Sequence, residues 1–195
     1  MIVALAGTLA ANAQITVYGG YNIEDINVNL EEGSMLLKNN GFKAGFEYNY
    51  ALNDYLGVSA GLDFLSVSGK VTMGNDGANM KATAFGIPVH ANLKLGITDA
   101  VKAIAYAGPE LRYISDFTFG PTSVYDKDAF GDSAAHIEGR LGFGAGVEIM
   151  NLVKVFAGYG FGLTNLFKDK VDGDEYKGHT QSVFIGLGIV LPLHK

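Results

Sequence analysis

Between Ile137 and Ile149 the chain reads IEGRLGFGAGVEI, and its side chains sort by parity. Odd positions carry Ile137, Leu141, Phe143, Ala145, Val147 and Ile149 beside one glycine, Gly139; even positions carry Glu138, Arg140 and Glu148 with Gly142, Gly144 and Gly146. Successive strand side chains point to opposite faces, so this stretch predicts one long strand with an apolar face and a small, polar one. The same alternation recurs at 14–23, 40–52, 56–70, 82–97, 102–117, 153–166 and 180–193, which makes eight segments. In 82–97 the apolar face is Phe85, Ile87, Val89, Ala91, Leu93, Leu95 and Ile97, against Gly86, Pro88, His90, Asn92, Lys94 and Gly96. In 40–52 and 56–70 the apolar face takes even positions, Phe42, Phe46, Tyr48, Tyr50, Leu56, Val58, Leu62 and Phe64.

A strand that crosses a bilayer needs about ten residues tilted near 45°, with apolar side chains toward lipid and polar or small ones toward the lumen. These segments match that description. A soluble barrel of the lipocalin kind would place its large apolar groups inside and its charges outside, and the faces opposite the apolar ones hold too few charges for a wetted exterior. No apolar run reaches the length of a helical span. The pattern predicts an all-β, eight-stranded antiparallel up-and-down transmembrane β-barrel. Its connections alternate in length. Those at 53–55, 98–100 and 150–152 are tight, whereas about 24–39, 71–81, 118–136 and 167–179 are long. Short turns on one side and long loops on the other are expected to put both termini at the periplasmic side and the loops at the cell surface. Tyr48 and Tyr50 at the turn end, and Phe117 and Phe167 at the loop end, are expected in the interfacial aromatic belts.

The net charge of −6 falls entirely within 24–38, 70–81, 116–132 and 168–177, which predicts a balanced barrel and acidic loops outside. That balance, without a basic stripe, argues against a nucleic-acid partner. The absence of cysteine excludes a disulfide framework. Met1 to Ala13 is an apolar run ending in Ala11-Asn12-Ala13, the small-x-small pattern of a signal peptidase site, so 1–13 reads as a signal peptide and 14–195 as the barrel domain.

Three segments, GIPVHANLKLG from Gly86, YAGPELRY from Tyr106 and GYGFGLTNL from Gly158, resemble the recurring strand motifs of the outer-membrane protein beta-barrel domain family, the small "porin family" barrels of Gram-negative bacteria. The resemblance implies an integral protein of the cell outer membrane, surrounded by outer-membrane lipid; a monomer is expected. The last strand departs from it, closing on Leu191-Pro192-Leu193-His194-Lys195 rather than on an aromatic residue.

Candidate chemistry is sparse. His90, His136, His179 and His194 lie on different segments with no metal-ligand spacing, so no metal or cofactor is expected. His136 with Asp132 and Ser133 at a loop rim is the best catalytic arrangement, of the kind a lipid-modifying outer-membrane enzyme would need, but such residues are ordinary turn formers and no catalysis is expected. Asp126-Lys127-Asp128 and Asp172-Gly173-Asp174-Glu175 lack the spacing of a calcium loop. The glycines of Gly158-Tyr159-Gly160-Phe161-Gly162 precede no helix that could hold a phosphate, and read as lumen-facing spacers.

The lumen offers more. Counting upward from the 98–100 turn on one strand and the 150–152 turn on another, Glu110 meets Arg140 and Arg112 meets Glu138, each pair with residue numbers summing to 250. Lys43, Glu47 and Asp63 share the inward parity and are expected to extend this charge network. Eight strands leave a lumen that side chains fill, so no conducting pore is expected. The expected role is structural or one of surface interaction, with the long loops as the contact for another protein or lipopolysaccharide.

Overall fold

A computed structural model describes residues 13–30, 33–73, 76–125, 135–166 and 177–193. The strands are β1 (Ala13–Leu30), β2 (Gly33–Ala51), β3 (Leu56–Met73), β4 (Asp76–Gly96), β5 (Val101–Phe119), β6 (Thr122–Ser123), β7 (Ile137–Ile149), β8 (Val153–Gly162) and β9 (Lys177–Pro192). Every long strand pairs antiparallel with the next long one, the two-residue β6 pairs only with β5, and β9 returns to β1 from Gln14↔Pro192 to Asn29↔Lys177. Eight strands therefore close a barrel, which leaves the sheet without a free edge. Residues 1–12 of the expected signal segment, Phe167, His194 and the acidic runs at 126–128 and 172–175 lie outside the described residues, whereas Ala13, its last residue, opens β1.

The tight turns are held by their own sequences. Asn53 Oδ1 accepts from the Tyr55 and Leu56 amides at 2.9 and 2.8 Å, and Thr98 Oγ1 from Ala100 and Val101 at 3.3 and 3.1 Å. Met150 and Asn151 both take positive φ, 53° and 54°, the backbone of a two-residue turn whose twist matches an antiparallel hairpin.

The outward faces are those read from parity. Phe46, Leu62, Ile87, Leu141, Phe143, Ile185 and Leu187 are each about half exposed, an apolar belt with nothing but lipid to cover it. Tyr48, at the turn end, belongs to this outward face.

Four strands run further than the alternation suggested. The connections expected at 24–39 and 71–81 are mostly paired ladder, with β1 and β2 in register from Ala13↔Tyr50 to Leu30↔Gly33 and β3 with β4 up to Met73↔Asp76. The reason is an inversion of lining. Above the lipid belt, outward positions turn polar (Asp25, Asn27, Lys38, Ser66, Ser68, Lys70, Lys81), while inward ones turn apolar (Ile26, Leu37, Leu65, Val67, Met80). The strand continues; only the medium on each side changes. β8, by contrast, stops at Gly162 rather than near 166, where Gly139 O accepts from the Leu163 and Thr164 amides at 2.8 and 3.3 Å.

Phe117 is corrected as well. It is buried at 8% exposure and faces inward, not toward the membrane interface. The β4–β5 register shifts between Thr83 and Ala84, so Ala84 faces Ile114 whereas Thr83 faces Asp116. Ser115 is the extra residue, its hydroxyl donating to Thr83 O at 3.1 Å, and beyond this bulge the parity of β5 reverses. The outer aromatic belt is instead Phe42, Phe64, Phe85 and Tyr113, with ring centroids 5.7 Å apart for Phe42–Phe64 and 5.5 Å for Phe64–Phe85.

Candidate functional site: the filled lumen

Inward positions of all eight wall strands converge on the barrel axis, and their side chains stack in layers. At the periplasmic end Lys94 Nζ lies 3.0 Å from Glu148 Oε2 and 3.2 Å from Gln14 Oε1. Lys154 Nζ donates to Thr16 Oγ1 at 3.0 Å and stands 3.9 Å from the same Glu148 carboxylate, and Asn49 donates to Thr16 at 3.2 Å. Above them Tyr18, Tyr106, Phe156 and Phe184 meet largely edge to face, with centroids 5.4 to 6.2 Å apart. His90 sits beside Tyr106 at 5.0 Å, with Nδ1 3.5 Å from Glu47 and Nε2 3.3 Å from Glu110. A cavity of about 60 Å³ remains among these rings and lysines, opening past Asn92 and Lys94 into a wider periplasmic mouth.

The next layer holds the charges expected from counting. The β5–β7 ladder sets Glu110 opposite Arg140 and Arg112 opposite Glu138. Arg140 Nε is 3.6 Å from Glu110 Oε2, Arg112 Nη1 is 3.6 Å from Glu138 Oε2, and Lys43 Nζ is 3.0 Å from Asp63 Oδ2. Glu47 touches the network through His90. All seven expected residues are thus brought into one lumen.

Five more belong there that sequence reasoning left out. Glu24 makes the shortest ion pair of Arg112, 2.7 Å across the barrel, yet it falls in the stretch read as a loop. His90, Lys94, Glu148 and Lys154 all occupy lumen parity, and that parity was the signal that could have placed them. Arg140 also donates to Glu138 at 3.2 Å, to Ser182 at 2.6 Å and to Thr180, while Thr180 donates to Glu138. Arg140 and Glu138 are 1% and 0% exposed, so these polar partners offset much of the cost of holding both charges away from water.

Small residues opposite make the room. A Cβ at Gly142 would meet the Glu110 carboxylate, and one at Gly162 would meet the Glu138 carboxylate. Gly142→Val is expected to push Glu110 off Arg140 and lower the midpoint of urea unfolding. An equal midpoint would show the lumen is roomier than its contacts imply.

Ten buried apolar side chains top the charges. Ile26, Leu37, Leu65, Val67, Met80, Ala84, Ile114, Phe117, Val124 and Leu166 form one cluster across the outer end of the barrel. Nearby, at the rim, the His136 ring stacks on Tyr125 at 3.8 Å and its Nδ1 lies 3.1 Å from Ile114 O. Its candidate partners Asp132 and Ser133 lie outside the described residues. His179 stands on β9, apart from His90 and His136.

Residues 1–189 match the family described as outer membrane protein beta-barrel domain. No curated protein is a significant match. Among solved structures, the outer membrane protein OprG from Pseudomonas aeruginosa is similar at 13% identity and a TM-score of 0.55, covering 93% of this chain and 97% of that one. Ail, the attachment invasion locus protein of Yersinia pestis, is similar at 16% identity and a TM-score of 0.48, covering 92% and 99%.

Proposed function

Because the chain belongs to the outer membrane protein beta-barrel domain family, an integral barrel of the cell outer membrane, we propose that it works there as a closed, non-conducting and non-catalytic scaffold that displays its outer hairpins and loops for surface contacts. The observation that carries this reading is the double filling of the lumen. The charged layer around Arg112 and Arg140 lies beneath an apolar layer around Leu65 and Met80, and a hydrated ion that passed the first would have to shed its water at the second. The acidic surplus of the segments between strands gives those contacts a negative character. A sheet with no free edge also supports a monomer.

Purified protein in planar bilayers is expected to give no steady single-channel current. Sustained, reproducible conductance steps overturn the closed-lumen reading. Trimming the tips of the β1–β2 and β3–β4 hairpins together with the β6–β7 and β8–β9 loops is expected to abolish whole-cell adhesion while leaving the barrel folded; adhesion equal to that of the intact protein removes the surface-contact role.

A further inference from the structure

On the outer face of β2, β3 and β4, above the lipid belt, three lysines stand together. The register runs Asn40–Ser68–Lys81–Thr118 across β2 to β5, and one step higher Lys38 and Lys70 follow the Asn39–Gly69 pair, with Lys70 opposite Asn79. All three lysines are exposed, and among the described residues none of them forms an ion pair. Asp25, opposite Lys38 on β1, and Asp116, opposite Thr83 on β5, bound the patch on its two sides. Between the acids, the outward side chains are Asn40, Ser66, Ser68 and Thr83, all able to hydrogen-bond.

Height gives the patch its meaning. Phe64, Phe85 and Phe42 mark the upper edge of the apolar belt on these same three strands. Lys81 and Lys38 lie four residues beyond Phe85 and Phe42, and Lys70 six beyond Phe64. At about 3.3 Å per residue and a tilt near 45°, that places their Cα atoms about 9 to 14 Å above the belt. A lysine side chain reaches back several ångströms along the surface, so its ammonium can stand at the depth of lipid headgroups while its methylenes lie against the strand.

We infer that the β2–β4 outer face is a binding site for the phosphates of an anionic glycolipid headgroup in the outer leaflet, held by Lys38, Lys70 and Lys81 with the intervening hydroxyl and amide side chains as hydrogen-bonding partners. The site rests on the reading that the apolar outward face is covered by lipid. Its recognition is electrostatic: clustered ammonium groups at a membrane surface attract phosphate, and the attraction weakens with salt. The neighbouring carboxylates on β1 and β5 confine it to three of the barrel's strands, β2 to β4, so a bound lipid would hold one orientation to the wall.

The test uses the full barrel in a zwitterionic detergent, titrated with lipid A bearing both phosphates and with the same lipid dephosphorylated. The intact protein is expected to bind the phosphorylated lipid at least about 10-fold more tightly, a preference that shrinks as salt is raised. K38Q/K70Q/K81Q is expected to lose that preference, whereas the triple arginine variant and K102Q, at the periplasmic mouth, keep it. Equal affinity for the two lipids, or an unchanged preference in the triple glutamine variant, overturns the site. So does loss of preference in K102Q, which would mark a response to net charge alone. Failure of the membrane reading itself would be seen separately, as a folded protein that stays in solution without detergent.

Discussion

Arg112→Ala is expected to destabilise the barrel by about 3 to 5 kcal/mol, because the substitution leaves two carboxylates in the lumen without their guanidinium. Glu24 is 2.7 Å from Arg112 and Glu138 is 3.6 Å away; both are buried, at 4% and 0% exposure, so neither can be rescued by solvent in place. Glu138 retains Arg140 and Thr180, so most of the penalty falls on Glu24, whose hydrogen bonding then reduces to a 3.4 Å contact from Asn22. Adding Glu24→Gln to the variant should recover part of the loss, since a neutral amide is cheaper to strand than a carboxylate. The chain has no tryptophan, so urea unfolding is followed by circular dichroism and by the mobility shift of the unheated barrel on gels. A loss below about 1 kcal/mol, the size expected for a pair exposed to water, would mean that the lumen is wet at this layer.

Leu65→Ala is expected to cost about 2 to 5 kcal/mol, and its sequence neighbour Ser66→Leu to fall within about 0.5 kcal/mol of the parent. Leu65 is 2% exposed inside the apolar cluster, where removing its branched end opens a cavity that a closed barrel wall cannot collapse to fill. Ser66 points outward at the upper edge of the lipid belt beside Phe64, where an added apolar group finds space. A membrane strand read only as apolar-out would predict little cost at Leu65, which would then face a polar lumen, and a gain at Ser66, which would then face lipid. Equal effects of the two substitutions on the unfolding midpoint would argue against the inverted lining.

That inversion marks the boundary between what could be read from the chain and what could not. Alternation of period two states which side chains share a face, and the tight turns at Asn53, Thr98 and Met150-Asn151 tie the faces of neighbouring strands to one another. From these alone the eight wall strands follow, with their order and with the pairing of Glu110 to Arg140 and Arg112 to Glu138, since two strands joined through known turn positions have a countable register. Lys43, Glu47 and Asp63 follow by parity too.

Period two carries no information about the medium each face meets at a given height. Along β3 the inward side chains pass from Ser59 and Asp63 to Leu65 and Val67, while the outward ones pass from Val58 and Leu62 to Ser66 and Ser68. Read as a lipid-facing strand, the pattern ends where the outward face turns polar; folded, it continues because the inside has become the apolar side. Glu24 was hidden for that reason, and its partner Arg112 is 88 residues away on a strand across the lumen, a contact set by barrel stagger rather than by any turn. Phe117 was misplaced because one extra residue at Ser115 flips the parity beyond it, and a bulge leaves no mark in the periodicity that precedes it. Alternation and the tight turns set the strands, their faces and the register of neighbours, because backbone geometry enforces these locally. Only the closed barrel decided which groups meet across the lumen and where lipid gives way to water outside and charge to hydrocarbon inside, because those depend on the height at which eight staggered strands converge.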